Sequence, residues 1–388
     1  MNEKTLSGIQ LSAEGAQITW YERGMEDAVT LTVPGERADG MMELPSGVFE
    51  AASGKNQSPE KRALLRSWLS RVLDLLPERK ARKDLAVCIT VPELRGETPD
   101  NLVEALEELG VQRKYIFLQD YWTSFYYYVV NQRRELWNGD VAFIQYRDEQ
   151  MIGHILHIDR GVKPGLVTID EVARTDVSDR VREGRDREDW DRERDRLLYE
   201  LLGKLFERRN VSTSYLYGPY FDSSWAVRSF QYLTFRRHAF QGHNLFSKGA
   251  CFGAMARMGL ITMPELLYKG VDSLSKNIGI NLRVRGKMQY YPLARAGGNW
   301  YEAHRECDVI PEGTDSITIL SRSPEGAQTV HHVLRLDHFP QRPDRASRLR
   351  LTVYFSSMSH IEVEVEDLGF GSMYPSSGRI WKRTIVLE

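Results

Sequence analysis

The chain has 388 residues, of which 41% are hydrophobic and 27% are charged, a composition typical of a folded protein with more than one domain. Its formal net charge of −2 provides no overall field for attracting nucleic acid or an anionic membrane. No apolar run approaches the roughly 18 residues of a spanning helix, and the N-terminus lacks a signal-peptide core. The 3 cysteines are too scattered for a disulfide scaffold or a CxxC metal site. We therefore expect a cytoplasmic protein that binds neither nucleic acid nor metal.

The N-terminal segment predicts a β-hairpin and a third strand. Residues 8–20 read GIQLSAEGAQITW, in which apolar and polar side chains alternate and Gly15 lies near the bend. The next strand is predicted over residues 28–33.

Helices and strands then alternate, which predicts an α/β fold with a mixed sheet. Ser58 and Pro59 have the character of an N-cap and a first helical residue, and Pro77 ends this helix. The later predicted elements are a buried strand at 84–91, a helix at 98–110, a strand at 115–118, an aromatic-rich helix at 121–130 and a strand pair at 141–146 and 152–158.

The second part of the chain predicts further helices and then strands alone. Residues 182–196 mix charges of both signs and lead into a leucine stripe, which indicates a solvated amphipathic helix rather than a nucleic-acid patch. A strand at 213–217, a helix at 222–235 capped by Asp222 or Ser223, and a helix at 247–257 follow. After about residue 277, short alternating strands with Pro and Gly turns predict a separate all-β sandwich.

Taken in order, these segments resemble a DnaK-type chaperone of the actin and heat-shock ATPase superfamily. The matching segments are CITVPEL (88–94), LQDYWTSFYYY (118–128), VAFIQYRDEQMIGHIL (141–156), EDWDRERDRLL (188–198), YLYGPYFDSSWAV (215–227), KGACFGAMARM (248–258), NIGINL (277–282) and residues 339–367. Their shared order along nearly the whole chain carries the resemblance, which extends to a bacterial family of reduced DnaK-like proteins.

The resemblance implies an actin-like (ribonuclease H-like) α/β nucleotide-binding-domain fold followed by an all-β sandwich domain. Short connections between the matched segments imply that the outer lobes are reduced. The implied domains are a platform over 1–270, with halves of about 1–150 and 151–270, a linker at 271–277 and a sandwich at 278–388.

Where the family binds ATP and magnesium, this chain carries other residues. The family uses glycine turns whose N–H groups approach the phosphates, and a carboxylate in each of two hairpins positions Mg²⁺. The corresponding positions here are Gln10, Ser12, Ala13, Glu14, Gln145, Arg147, Asp148, Glu149, Asp186, Arg187, Gly218 and Pro219.

Two of these changes remove the metal-positioning charge, because Gln10 and Gln145 replace the carboxylates. Glu14 adds a negative charge beside the expected phosphate, and one like-charge contact at ~4 Å costs on the order of 4 kcal/mol. We therefore expect a protein that is not an enzyme and uses no cofactor. ATP and Mg²⁺ enter only under an enzymatic alternative.

Other clusters have both a functional and a structural interpretation. Tyr290, Tyr291, Trp300 and Tyr301 match the first substrate loops of the chaperone sandwich and are candidates for binding an extended peptide, although such residues are also common at sandwich edges. A basic cluster is an anion-site candidate or a solvated loop, and consists of Arg236, Arg237, His238, His243 and Lys248. The aromatic residues between 115 and 128 favour packing over a ligand site.

The sequence favours a non-catalytic, DnaK-like pseudo-ATPase that acts as a protein-binding or assembly module, with a protein or peptide partner. Three alternatives remain open: an ATP-independent peptide-holding chaperone acting through the sandwich, a divergent ATPase or sugar-kinase-like phosphotransferase, and an actin-like filament or scaffold protein. The oligomeric state and the identity of the partner do not follow from the sequence.

Overall fold

The computed structural model describes residues 4–33, 40–55, 58–77, 80–147, 149–178, 182–221, 224–270, 273–324 and 328–387. The chain divides into two compact units, Met1–Leu266 and Leu267–Glu388. This division lies shortly before the predicted linker at 271–277. Among the described residues, no helix combines the length and the apolar character that a membrane crossing requires.

The first sheet has 5 strands in the order β3-β2-β1-β4-β5. These strands are β1 (Thr5–Ser12), β2 (Gly15–Tyr21), β3 (Val29–Thr30), β4 (Leu85–Val91) and β5 (Ile116–Asp120). β1 runs antiparallel to β2 and parallel to β4, and β4 runs parallel to β5. Every residue of β4 is buried, which explains its continuous apolar sequence.

The second sheet repeats this topology within an order of β10-β9-β6-β7-β8-β11. Its strands are β6 (Asp140–Arg147), β7 (Gln150–Asp159), β8 (Gly165–Asp176), β9 (Val211–Tyr217), β10 (His238–Gln241) and β11 (Leu266–Tyr268). Strands β8-β7-β6-β9-β10 follow the order of β3-β2-β1-β4-β5, with β6 antiparallel to β7 and parallel to β9. This duplicated arrangement confirms the predicted actin-like α/β fold class. The second sheet begins at Asp140, before the approximate division of the halves at residue 150.

Seven α-helices are described: α1 (Val48–Ser53), α2 (Pro59–Asp74), α3 (Thr98–Glu108), α4 (Tyr121–Val130), α5 (Arg187–Phe206), α6 (Val227–Thr234) and α7 (Leu245–Arg257). The predicted cap of α2 is confirmed, because the Ser58 side chain accepts a bond from the Lys61 N–H. Asp120 caps α4 in the same way, accepting from the Thr123 N–H at 2.7 Å.

Several elements of the structure differ from the prediction. Strand β8 was not predicted; it is formed by antiparallel pairing with β7 along its length. Helix α5 begins at Arg187 rather than at residue 182, because Asp186 caps it there. Helix α6 begins at Val227 rather than at 222, since the α5 residue Asp195 accepts the N–H groups of Arg228 and Ser229 at 2.9 Å each. The predicted caps Asp222 and Ser223 lie outside the described residues.

The C-terminal unit is an all-β sandwich, as predicted. One sheet has the order β13-β12-β15-β16, and the other has the order β14-β17-β18-β19. The strands are β12 (Asn277–Val284), β13 (Lys287–Ala294), β14 (His304–Val309), β15 (Ser316–Arg322), β16 (Thr329–Arg335), β17 (Arg348–Ser357), β18 (His360–Gly369) and β19 (Ile380–Val386). Both sheets contribute to one core, with Ile278 and Ile319 from the first and Leu351 and Val363 from the second.

Candidate functional site

Gln10 joins the two halves of the N-terminal unit at the position where the resemblance implies a metal-positioning carboxylate. It lies near the end of β1 and is fully buried. Its side-chain Nε2 donates to the Tyr121 hydroxyl at 3.1 Å and to the Tyr217 hydroxyl at 3.0 Å. Tyr121 begins α4 beside the first sheet, and Tyr217 ends β9 of the second sheet. The amide is therefore engaged by two phenols.

Aromatic rings surround these hydroxyls. Tyr121 stacks on Phe246 with ring centroids 4.0 Å apart, and Tyr217 meets the same ring edge-on at 5.0 Å. Phe143 stacks on Tyr217 at 5.7 Å. Burial raises the pKa of Tyr121, so its phenol stays neutral at physiological pH. None of these four aromatic side chains carries a positive charge that could bind phosphate or a negative charge that could bind a metal ion.

The tips of the two hairpins are joined by an ion pair between Glu14 and Arg147. Both side chains are partly exposed, so the pair contributes at most about 1 kcal/mol. The guanidinium of Arg147 thus compensates the negative charge that Glu14 places at this turn. The two hairpin turns contact each other instead of being free to approach an anion.

Gly218 of the predicted site, and Gly15 at the bend of the first hairpin, are both required by local packing. Gly15 has φ +151°, and a Cβ there would lie 2.5 Å from the Met42 carbonyl oxygen. The neighbouring Ala16 exchanges backbone bonds of 3.0 and 2.7 Å with Met42, which covers this turn. Gly218 has φ +122°, and its Cβ would lie 2.1 Å from the Tyr146 carbonyl oxygen. Both positions are therefore restricted to glycine by close backbone approach.

Four further positions of the predicted nucleotide site have local structural roles. Ser12 is buried and donates to the Gly15 carbonyl at 3.3 Å. Gln145 pairs in register with Tyr217, and Glu149 is exposed with its carbonyl accepting from Val177 at 2.7 Å. Asp186 accepts from the Asp189 N–H at 2.8 Å as the cap of α5.

Three other positions lie at the surface. Arg187 is the first residue of α5 and is exposed, as are Ala13 and Pro219. Asp148 lies outside the described residues.

The four sandwich residues predicted to bind peptide do not form one clamp. Tyr290 and Tyr291 are consecutive on β13, so their side chains point to opposite faces of the sheet. Tyr291 and Trp300 pack against the sandwich core, whereas the Tyr290 ring covers Gly279. Tyr301 meets Trp300 edge-on at 5.6 Å.

A groove that the sequence did not reveal opens between β12 and β15. The two strands pair only where Asn277–Gly279 meets Leu320–Arg322 among the described residues. Beyond this point they diverge, although β13 follows β12 to Val284 and β16 follows β15 to Ser316. The space between them has a volume of about 510 Å³. Its apolar lining includes Ile280, Leu282, Met288, Ile310, Ile317 and Leu320.

The predicted basic cluster is divided between structural contacts. Lys248 forms an ion pair with Asp27 at 2.6 Å. Arg237 donates to the Tyr232 carbonyl at 3.1 Å and lies 4.4 Å from the centroid of the Phe206 ring. These contacts favour the structural interpretation of the cluster.

Two family models match the chain. Residues 50–270 match the model described as "Family of unknown function (DUF5716) C-terminal". Residues 273–387 match the model described as "Domain of unknown function (DUF8552)". No curated protein matches the sequence.

Three solved structures are similar to part of the chain. One is a Bacteroides thetaiotaomicron protein with an actin-like ATPase fold and unknown function, at 11% identity and a TM-score of 0.33, covering 67% of this chain and 97% of its own. A second is the Aquifex aeolicus Ppx/GppA phosphatase, at 11% identity and a TM-score of 0.33, covering 66% and 92%. A third is the inorganic polyphosphate/ATP-glucomannokinase of Arthrobacter sp. strain KM, at 13% identity and a TM-score of 0.36, covering 66% and 99%.

The fold assignment itself rests on the duplicated strand order. Because the first family model spans more than half of the 388 residues, the chain belongs to the family described as "Family of unknown function (DUF5716) C-terminal".

Proposed function

We propose that this protein is a non-catalytic protein-binding module, a DnaK-like pseudo-ATPase of the cytoplasm that needs no cofactor. The observation that carries the proposal is the engagement of Gln10 by Tyr121 and Tyr217. ATP chemistry in this fold depends on charged ligands for Mg²⁺ and on free backbone N–H groups for the phosphates. Here the Gln10 amide and two phenols occupy the position of the first metal-positioning carboxylate. Gly218 packs closely against the Tyr146 backbone.

Nucleotide binding tests this proposal directly. We expect the thermal unfolding midpoint to be unchanged by ATP or ADP with Mg²⁺ at millimolar concentration, and no phosphate release. A site filled to 100 times its Kd would add about 2.7 kcal/mol of stability, which is easily detected. A saturable rise in the midpoint that disappears in Arg147→Ala, together with phosphate release, would refute the non-catalytic assignment and revive the phosphotransferase alternative.

A second candidate function, holding extended polypeptides, is supported by the groove between β12 and β15. From Ile280 onward, β12 pairs with β13 on one side and, among the described residues, with no strand on its other side. A strand edge of this kind accepts the backbone of another extended chain. The exposed Met288 and Ile310 and the half-buried Leu282 present apolar surface to its side chains. The occupant best matched to both features is an extended segment with apolar side chains.

This second candidate is tested by anisotropy of labelled, unfolded apolar peptides. Met288 and Ile310 are 61% and 51% exposed at the rim of the groove, so substitution there leaves the core intact. We expect the double variant Met288→Glu, Ile310→Glu to bind at least roughly tenfold more weakly, since each change places a charge against apolar side chains. The matched control is Met373→Glu, at a residue that is 80% exposed and outside this groove. Equal loss in the control would argue against the groove.

A further inference from the structure

Charged side chains cross the open end of the groove between β12 and β15. The role inferred for them rests on the second candidate function, the holding of extended polypeptides. One end of the groove is closed by the strand pairing of Gly279 with Leu320. The loop that follows β14 forms a rim farther along, where Ile310 and Glu312 line the groove. Arg283 of β12 lines the opposite wall.

Glu312 is held from two sides. Across the groove, its carboxylate meets the Arg283 guanidinium, with Nη1 3.3 Å from Oε2 and 3.4 Å from Oε1. On the outer side it forms an ion pair with Arg345. The next residue, Gly313, donates its N–H to the Asp344 carboxylate at 2.7 Å. The loop is therefore anchored to the segment before β17 even when its bond to Arg283 is broken.

We propose that the Arg283–Glu312 pair is a latch that controls how fast an extended polypeptide enters and leaves the groove. The pair joins the two diverging walls at the end that strand pairing leaves open. Opening requires only the loss of one ion pair, because Arg345 and Asp344 retain the loop.

The exposure of the three side chains determines the strength of such a latch. Arg283, Glu312 and Arg345 are 54%, 37% and 63% exposed. Pairs this exposed are weak and are screened by salt, so the latch opens readily and more often at high ionic strength. We therefore expect the latch to change the rate constants of peptide association and dissociation more than the affinity for the peptide.

Stopped-flow anisotropy with the full chain and a labelled apolar peptide tests the latch. Arg283→Met retains the aliphatic length and removes the charge, and we expect it to raise both the association and the dissociation rate constants about threefold to fivefold. Raising the salt concentration should accelerate exchange in the unaltered protein and have little effect on Arg283→Met.

Matched controls separate the outcomes. Lys382→Met removes another exposed cation paired at 2.6 Å, on β19, and should leave both rates unchanged. If the peptide binds but Arg283→Met exchanges at the original rates, the latch is refuted and the groove is retained. Faster dissociation with unchanged association would also refute it, because that result indicates direct contact between Arg283 and the peptide. If no peptide binds to the unaltered protein, the second candidate function and the latch are both refuted.

Discussion

The side-chain amide of Gln10 donates hydrogen bonds to two tyrosine hydroxyls in a region otherwise occupied by aromatic rings. In Gln10→Ala the partly buried phenols of Tyr121 and Tyr217 lose this donor while remaining among aromatic rings. We expect the free energy of unfolding of the N-terminal unit to fall by about 2–4 kcal/mol, measured by urea denaturation. The exposed Gln231→Ala should change it by less than about 0.5 kcal/mol. Equal effects at the two positions would argue against a structural role for Gln10.

We expect the folding stability of the N-terminal unit to depend on pH through His154. It lies on β7 with its ring 4.3 Å from that of Trp122. Burial lowers the pKa of His154 to about 4 from an ordinary value near 6.5. Between these values the unfolded chain binds a proton that the folded chain does not, so folding stability must fall as the pH falls through this window.

The test of His154 compares the unaltered protein with His154→Phe, which keeps an aromatic ring beside Trp122. The free energy of unfolding of the unaltered protein, relative to the variant, should decrease by about 2–3 kcal/mol between pH 7.5 and pH 4.5. This comparison cancels the titration of carboxylates common to both proteins. A difference that does not vary with pH would contradict the lowered pKa.

At the scale of elements, α7 depends on close approach to α4. A Cβ on Gly249 would lie 1.9 Å from the Ser124 carbonyl oxygen, which is backbone and cannot move aside cheaply. We expect Gly249→Ala to destabilise the N-terminal unit by about 1–3 kcal/mol. Gly203 lies in α5 with nothing within 4 Å of an added Cβ, so Gly203→Ala should instead stabilise by about 0.5–1 kcal/mol. Calorimetry distinguishes the two signs, and the same sign at both sites would contradict the packing argument.

The loop after β18 depends on a buried ion pair. Arg342 donates two bonds of 2.8 Å to the Asp367 carboxylate, which is fully buried. Burial alone would raise the pKa of Asp367, but the bonds from Arg342 and from the Ser377 N–H hold that pKa well below its ordinary range. Asp367→Asn should cost the sandwich about 3 kcal/mol, because it leaves a buried guanidinium without its counter-charge. Glu364→Gln, at an exposed pair with Lys382, should cost less than about 1 kcal/mol.

At the scale of the whole molecule, the two units have separate cores. One core cluster contains residues such as Ala142 and Leu198, and another contains Ile278 and Leu351. We expect two unfolding transitions, because multi-domain chains depart from two-state behaviour. Gly249→Ala should lower only the first unit's transition, and Asp367→Asn only the sandwich transition. A single transition shifted equally by both variants would show that the units unfold together.

Strong local signals made several elements predictable from the sequence. The aromatic helix was predicted at 121–130 and is Tyr121–Val130, and the buried strand predicted at 84–91 is Leu85–Val91. The cap at Ser58 was equally readable, since capping uses neighbours along the chain. The start of α6 could not be predicted from the sequence, because its capping residue, Asp195, lies on another helix.

The sequence by itself determined the order of most helices and strands and the all-β C-terminal unit, and its resemblance to a known family implied the actin-like fold class. The order of the elements and the all-β unit depend on periodicity and on residue type at single positions. The tertiary structure decided that Gln10 is shared by Tyr121 and Tyr217, that Glu14 is paired with Arg147, and that a groove opens between β12 and β15. Each of these depends on residues far apart in the chain being brought into contact or held apart, and only the packed backbone specifies such distances.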